Sequence, residues 1–327
     1  MSKPTHVSQR SSRSHLIPLA LGAALAVFPL IGVNQQNPDK LSSGEHYADL
    51  GEVRLHYSVA GSGPLLIVCS PGWGISARYL ERGLVPLEAH FKLLFIDTRG
   101  SGKSQRPADE AKMSGADMAD DIEHLRAALG LKRISLLGHS DSGSIALDFA
   151  ERYPTSIEKL IFVDGETLGT SVNDKQEGAE SERLIKAASS DVHFKAAVEA
   201  MSKSPVMTDE GMAQYLKDTL PVFFANVDNI PAFATTTQDT RPSSWAWQFH
   251  DKANHSHPWH QEELLGEVRA KTLIIVGRQD RICPAIIAEH VHAGIKGSQL
   301  LEIDNSGHFP WIEQPSAFFN AVVNFLH

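Results

Sequence analysis

The sequence predicts an α/β fold in which a mostly parallel sheet is flanked by helices and interrupted by a helical insertion. Three observations carry this. Short, continuously apolar runs recur along the chain, as strands buried on both faces require. Stretches of helical periodicity separate them, and that alternation implies parallel pairing through helical crossovers. Between Glu166 and about Glu267 the rhythm gives way to helical and loop patterns with scattered aromatics, then resumes.

In chain order, VRLHYSVAG (53–61) alternates and runs into GSGP, which predicts a strand and turn. LLIVCS (65–70) and KLLFID (92–97) read as buried strands. MADDIEHLRAALG (118–130) sets Met118, Ile122, Leu125 and Leu129 on one helical face, with Gly130 placed to end the helix. A strand at RISLLG (133–138), a helix through IALDFAERYP (145–154) and a strand at KLIFVDG (159–165) follow. Past the insertion come strands at KTLIIVGRQD (271–280) and QLLEID (299–304), then a closing helix at PSAFFNAVVNFL (315–326). Residues 35–165 and 267–327 thus form one core, and residues 166–266 a helical insertion expected to lie over it as a lid. A chain of 327 residues, 42% hydrophobic, is long enough for such a core.

Residues 1–34 stand apart from this fold. Lys3, Arg10 and Arg13 precede the uncharged run LIPLALGAALAVFPLIGV (16–33), about the length that crosses a bilayer. It reads as a signal peptide, with Ala24-Leu25-Ala26 as a cleavage site, or as an uncleaved membrane anchor. Pro18 and Pro29 argue against a buried core helix. The expectation is entry into the secretory pathway, as a secreted or single-pass anchored protein.

The formal charge of −9 argues against nucleic acid as a partner, since that needs a basic footprint. The expected partner is a small-molecule substrate; the sequence does not reveal the oligomeric state. Cys69 and Cys283 match no metal-ligand spacing, and neither do His250, His255, His257 and His260, so no metal or cofactor is expected.

The stretch ISLLGHSDSGSIAL (134–147) offers Ser140, Asp141 and Ser142 as nucleophiles or as helix caps. Gly-x-Ser also occurs at 74–76 and 102–104, but only Ser140 stands between a buried strand and a helix. DTRGSGKS (97–104) imitates a phosphate-cradling loop, yet Asp97 stands where glycine is required. Downstream, Asp280 follows the apolar run TLIIV and His308 follows LLEI. All three therefore fall at carboxyl ends of predicted parallel strands, the edge where such sheets hold their sites. An activated serine needs a base and an acid to orient that base, and these residue types supply both.

Together SPGWG (70–74), DTRGSGKS, GHSDSG (138–143), GRQDRICP (277–284) and SGHFPWIEQP (306–315) resemble the α/β-hydrolase superfamily, over essentially residues 45–327. The likeness is to single-domain, serine-nucleophile members with a helical lid, esterase-like and proline-iminopeptidase-like ones among them. It implies an eight-stranded sheet, with Ser140 as nucleophile, His308 as general base and Asp280 orienting it. It also implies an oxyanion hole from the Trp73 and Asp141 backbone amides. Two departures stand out: Ser142 takes a position where glycine is usual, and Ser70 replaces the usual histidine of the oxyanion loop. The Asp141 side chain is expected at the pocket mouth, raising the histidine pKa or attracting a cation.

The implied activity is a serine hydrolase cleaving an ester, lactone, thioester or small amide through an acyl-enzyme. The alternatives are an amino-terminal-residue peptidase, a catalytically silent receptor and a lyase using the same triad. Lid aromatics, Trp245, Trp247 and Phe249 in particular, are expected to bind an apolar or ring-bearing group. The other reading of Trp245, Trp247 and Trp259, equally compatible with the sequence, is that they pack the lid onto the core.

Overall fold

The computed structural model describes residues 39–169, 172–256 and 260–327. The apolar run 16–33, His257 and Trp259 lie outside the described residues. Among the described residues no helix is long and apolar enough to cross a membrane.

Eight strands form one sheet: β1 (Gly44–Asp49), β2 (Arg54–Gly61), β3 (Leu65–Cys69), β4 (Lys92–Ile96), β5 (Ile134–His139), β6 (Ile157–Val163), β7 (Lys271–Gly277) and β8 (Gln299–Ile303). Their order is β1-β2-β4-β3-β5-β6-β7-β8. The β1–β2 and β2–β4 pairs are antiparallel, and every pair from β4 through β8 is parallel.

The continuous apolar runs are explained by what lies on each face. Ile67, Leu94, Leu136, Leu160 and Ile274 join one buried cluster, with Met118, Ile122 and Leu125. Their strand neighbours Val68, Phe95, Leu137, Ile161 and Ile275 join a second, with Leu80, Phe224 and Phe318. Period-two alternation thus fills two cores with one set of strands. β1 was not legible as a strand because GEHYAD is polar; it is a mostly exposed edge that pairs only with β2.

Helices α1 (Arg78–Gly83), α2 (Gly115–Ala128) and α3 (Asp141–Arg152) belong to the first half of the core. α2 starts with a capping box: Ser114 accepts from the Asp117 amide while the Asp117 carboxylate accepts from the Ser114 amide. Between β6 and β7 lie α4 (Val172–Ala188), α5 (Lys195–Met201), α6 (Asp209–Thr219), α7 (Ile230–Thr236), α8 (Ser244–Ser256) and α9 (Gln261–Leu264). The second half adds α10 (Ala285–Gly294), α11 (Pro310–Glu313) and α12 (Pro315–Leu326).

The loop after β4 is a structural knot, not a phosphate cradle. The Asp97 carboxylate fills it, accepting hydrogen bonds from the Ala77 amide (2.8 Å), the Lys103 amide (3.0 Å) and His56 Nδ1 (2.8 Å). Two residues on, the buried Arg99 grips Asp121 of α2 with two parallel bonds of 2.7 Å each and donates to the Lys112 carbonyl. A fork-to-carboxylate pair of this kind fixes orientation as well as charge.

Removing one partner of a buried pair strands the other's charge. Asp121→Ala is therefore expected to cost about 3–5 kcal/mol and to lower the thermal midpoint by roughly 6–20 °C, as read by circular dichroism.

Candidate active site

Ser140 joins β5 to α3 with φ 58° and ψ −131°, a conformation that non-glycine residues rarely adopt. Its hydroxyl makes no cap bond to the helix it precedes. Three contacts hold the turn: the Ser140 amide donates to the Val163 carbonyl (3.1 Å), the Gly143 amide donates to the Ser140 carbonyl (2.7 Å), and Ser142 bridges His139. The Ser142 hydroxyl accepts from the His139 amide and donates to its carbonyl, both at 2.9 Å. Serine in place of the usual glycine thus adds a tie across the elbow. Gly138 is needed for close approach, since a Cβ there would sit 2.0 Å from the Ser142 carbonyl oxygen.

Asp280 follows β7 and is fully buried. One carboxylate oxygen accepts from the Ile282 (2.8 Å) and Cys283 (3.1 Å) amides, and the other faces His308 Nδ1 at 2.7 Å. Because Asp280 is held by donors on one side, it acts as acceptor on the other, so Nδ1 of His308 carries the proton. His308 Nε2 makes no hydrogen bond among the described residues, and its ring lines the cavity. Ser140 and His308 line the same cavity; among the described residues no hydrogen bond joins Ser140 Oγ to the His308 ring.

Residues that the sequence did not single out complete the surroundings. His139 donates from Nε2 to the His308 carbonyl (2.8 Å) and takes the Tyr79 hydroxyl on Nδ1 (2.9 Å). Burial, then the neighbouring His308, hold its pKa well below the ordinary value, so it is a neutral strut. Asp164, at the end of β6 with φ 41°, accepts from the Gly277 amide (2.8 Å). Burial and then the Asp280 charge push its carboxyl well above the usual range, keeping it neutral beside the charged Asp280. The insertion reaches in as well: the His308 amide donates to the Phe223 carbonyl (2.8 Å), and Glu313 accepts from the Ala225 (2.9 Å) and Asn226 (3.0 Å) amides.

The SPGWG loop follows β3. Ser70, in place of the usual histidine, supports it by accepting from the Thr98 amide (3.0 Å), while the Thr98 hydroxyl donates to the Pro71 carbonyl (2.8 Å). Trp73 lines the cavity beside Ser140. Neither the Trp73 nor the Asp141 amide donates to another group among the described residues. The Asp141 side chain is not at the pocket mouth. It is buried, accepting from the Gly72 amide and from His250 Nε2 (2.9 Å), so it neither lines the cavity nor faces His308.

The cavity encloses about 550 Å³. Leu216, Leu220, Pro221, Phe223, Ile230 and Phe233 of the insertion form much of its apolar wall. Trp245, Trp247 and Phe249 do not line it. Trp245 and Phe249, one turn apart on α8, pack together (5.0 Å between rings) onto the core, and Trp247 meets Trp73 edge-on at 4.9 Å. The spacing of Trp245 and Phe249 puts them on one helix face, and it is the fold that turns this face onto the core and away from the cavity.

Cys69 and Cys283 are free and buried; burial pushes the Cys69 thiol up to about 12 and that of Cys283 well above its ordinary value. His250 is tied to Asp141, His255 bonds the Asp251 carbonyl, and His260 precedes α9, so these three serve separate ends. Among the described residues two groups bring ligand-type atoms within 4.8 Å of one another: Asp280 with Cys283 and His308, and Glu177 with Glu262 and His290. In the second, Glu177 already pairs with His290 at 2.7 Å.

A side chain at Gly138 would have to displace the elbow's own backbone. Gly138→Ala is expected to cost about 1–3 kcal/mol, checked by urea unfolding of the variant against wild type.

A family model described as alpha/beta hydrolase fold matches residues 64–315. A 2-hydroxy-6-oxononadienedioate/2-hydroxy-6-oxononatrienedioate hydrolase of Paraburkholderia xenovorans is 28% identical over 283 residues, covering 84% of this chain and 91% of its own. Among solved structures, an esterase from Exiguobacterium antarcticum superposes with a TM-score of 0.65 at 23% identity, over 87% of this chain and 99% of its own. The enol-lactonase from Burkholderia xenovorans LB400 gives 0.63 at 22% identity, over 86% and 99%. Likeness at these identities speaks to the fold alone. The family match, spanning residues 64–315, covers most of the sequence, and the chain belongs to the α/β hydrolase fold family.

Proposed function

We propose that this α/β hydrolase is a serine hydrolase that cleaves an ester-type bond, an ester, thioester or lactone, through an acyl-enzyme on Ser140. The carrying observation is the strained Ser140 turn opening on one cavity with a His308 whose Nδ1 is engaged by Asp280 at 2.7 Å. In this reading Ser140 Oγ bonds to the acyl carbon as its proton passes to His308 Nε2. The tetrahedral oxyanion is received by the Trp73 and Asp141 amides. The C–O or C–S bond then breaks, and the leaving group takes the proton from His308. Water, giving its proton to the same nitrogen, releases the acid and restores Ser140.

The cavity wall narrows the substrate. Lys217 is the one charged side chain lining it among the described residues, and no carboxylate does. An amino-terminal-residue peptidase must hold a substrate ammonium, and no lining residue among those described would balance that charge; Asp209 and Glu210 line an adjoining cleft instead. A dianionic substrate like the one named for the Paraburkholderia relative would want more cationic anchors than a single lysine. A neutral acyl or ring-bearing group fits this wall, roofed by an insertion that serves as a lid.

p-Nitrophenyl butyrate and hexanoate are expected to be hydrolysed, and alanine p-nitroanilide left intact. Ser140→Ala and His308→Ala are each expected to lower kcat by roughly three orders of magnitude or more, followed by p-nitrophenolate absorbance. Preferential cleavage of the anilide would overturn the substrate assignment.

A further inference from the structure

The residue after the proposed nucleophile carries a buried charge that the acyl-transfer chemistry does not use. Asp141 is 3% exposed, yet its carboxylate reaches out of α3 to the Gly72 amide of the oxyanion loop and to His250 of the insertion. The His250 ring meets two acceptors, Asp141 at Nε2 (2.9 Å) and the Met113 carbonyl at Nδ1 (2.6 Å), while the Asn254 side-chain amide nitrogen also lies 3.1 Å from Nε2. With the carboxylate as the Nε2 partner the ring donates twice and is an imidazolium. Burial alone would lower its pKa, but Asp141 outweighs this and raises it to about 9. Glu166, whose amide donates to the Ser140 carbonyl (3.3 Å), lies against the same carboxylate. Two carboxyl groups sharing one site cannot both ionise readily, and burial with the Asp141 charge lifts Glu166 to about 8. At neutral pH the cluster is therefore one carboxylate, one imidazolium and one neutral acid.

We propose that Asp141 and His250 are positioning residues for the oxyanion site. The Asp141 carboxylate fixes the Gly72 amide, and with it the Trp73 amide one residue on, while α8 supplies the cation that neutralises this carboxylate. The inference rests on reading Ser140 as the nucleophile. One residue thereby serves both halves of the hole: its amide is one donor and its side chain sets the loop bearing the other. It also ties the insertion to catalysis, since an α8 displaced from the core would remove the counter-charge.

The charge balance matters because an oxyanion develops nearby. An uncompensated negative charge there would oppose that oxyanion in a medium of low dielectric. The surrounding titratable groups are Asp148 on α3, held by Gln261 (2.8 Å) and near Arg152, and the Cys69, Cys283 and Tyr79 side chains, which burial keeps protonated. Both raised pKa values carry the same sign: stabilisation present at low pH is lost as pH rises. For His250 it is complete below the ordinary value of 6.5 and disappears through about 9; Glu166 adds repulsion as it ionises through about 8. Activity should thus decline on the alkaline side, between about pH 8 and 9, in step with this cluster.

The test uses p-nitrophenyl butyrate hydrolysis and binding of a trifluoromethyl ketone as transition-state analogue. His250→Ala is expected to lower kcat by roughly 10–100-fold and weaken ketone binding by the same factor, with KM within about threefold. Glu166→Gln is expected to move the alkaline limb of kcat/KM upward, from the ionisation of Glu166 to that of His250; this readout decides the matter if His250→Ala does not fold. A folded His250→Ala with kcat and ketone affinity within twofold of wild type, or an unmoved limb in Glu166→Gln, would overturn the proposal. Ser140→Ala separates the two levels. Retained hydrolysis there defeats the serine reading, whereas an inactive Ser140→Ala beside an unimpaired His250→Ala defeats only this inference.

Discussion

The backbone of Ser140, held at φ 58°, is the constraint on which the rest of the site depends. A conformation of this kind costs on the order of 1–3 kcal/mol and persists only where its surroundings dictate it. Here they do so from several directions. β6 accepts the Ser140 amide, Gly138 lets the Ser142 carbonyl approach, and the Ser142 hydroxyl spans the turn. The outcome is a hydroxyl released from capping and presented at the sheet's carboxyl edge.

The sheet makes that edge a meeting place. Parallel pairing from β4 to β8 brings the ends of β3, β5, β7 and β8 together, which delivers Trp73, Ser140, Asp280 and His308 to one region. The insertion is bonded into both sides of it. Phe223, Ala225 and Asn226 fasten the His308 loop, and His250 fastens the loop of Gly72 through Asp141. It therefore forms pocket wall and brace at once.

Strand and helix order were legible because apolar periodicity is set by which faces are buried. Ser140, Asp280 and His308 could be named for a related reason: each follows a strand of the parallel part of the sheet, so its place at the edge is dictated by topology. The polar strand β1 was not legible, because an exposed edge imposes no apolar pattern. Nor were the pocket residues. Trp245 and Phe249 carry the same side chains whether they face a core or a ligand, and only the packing of α8 decides. Asp141 shows the sharpest gap: its position in the elbow could be read, but its partner His250, 109 residues away, could not.

Reaction with a fluorophosphonate probe, read by intact mass and peptide mapping, tests the central claim most directly. The account requires a single adduct on Ser140, absent in Ser140→Ala and in His308→Ala. An adduct on another residue, or undiminished labelling of Ser140 in His308→Ala, would contradict it.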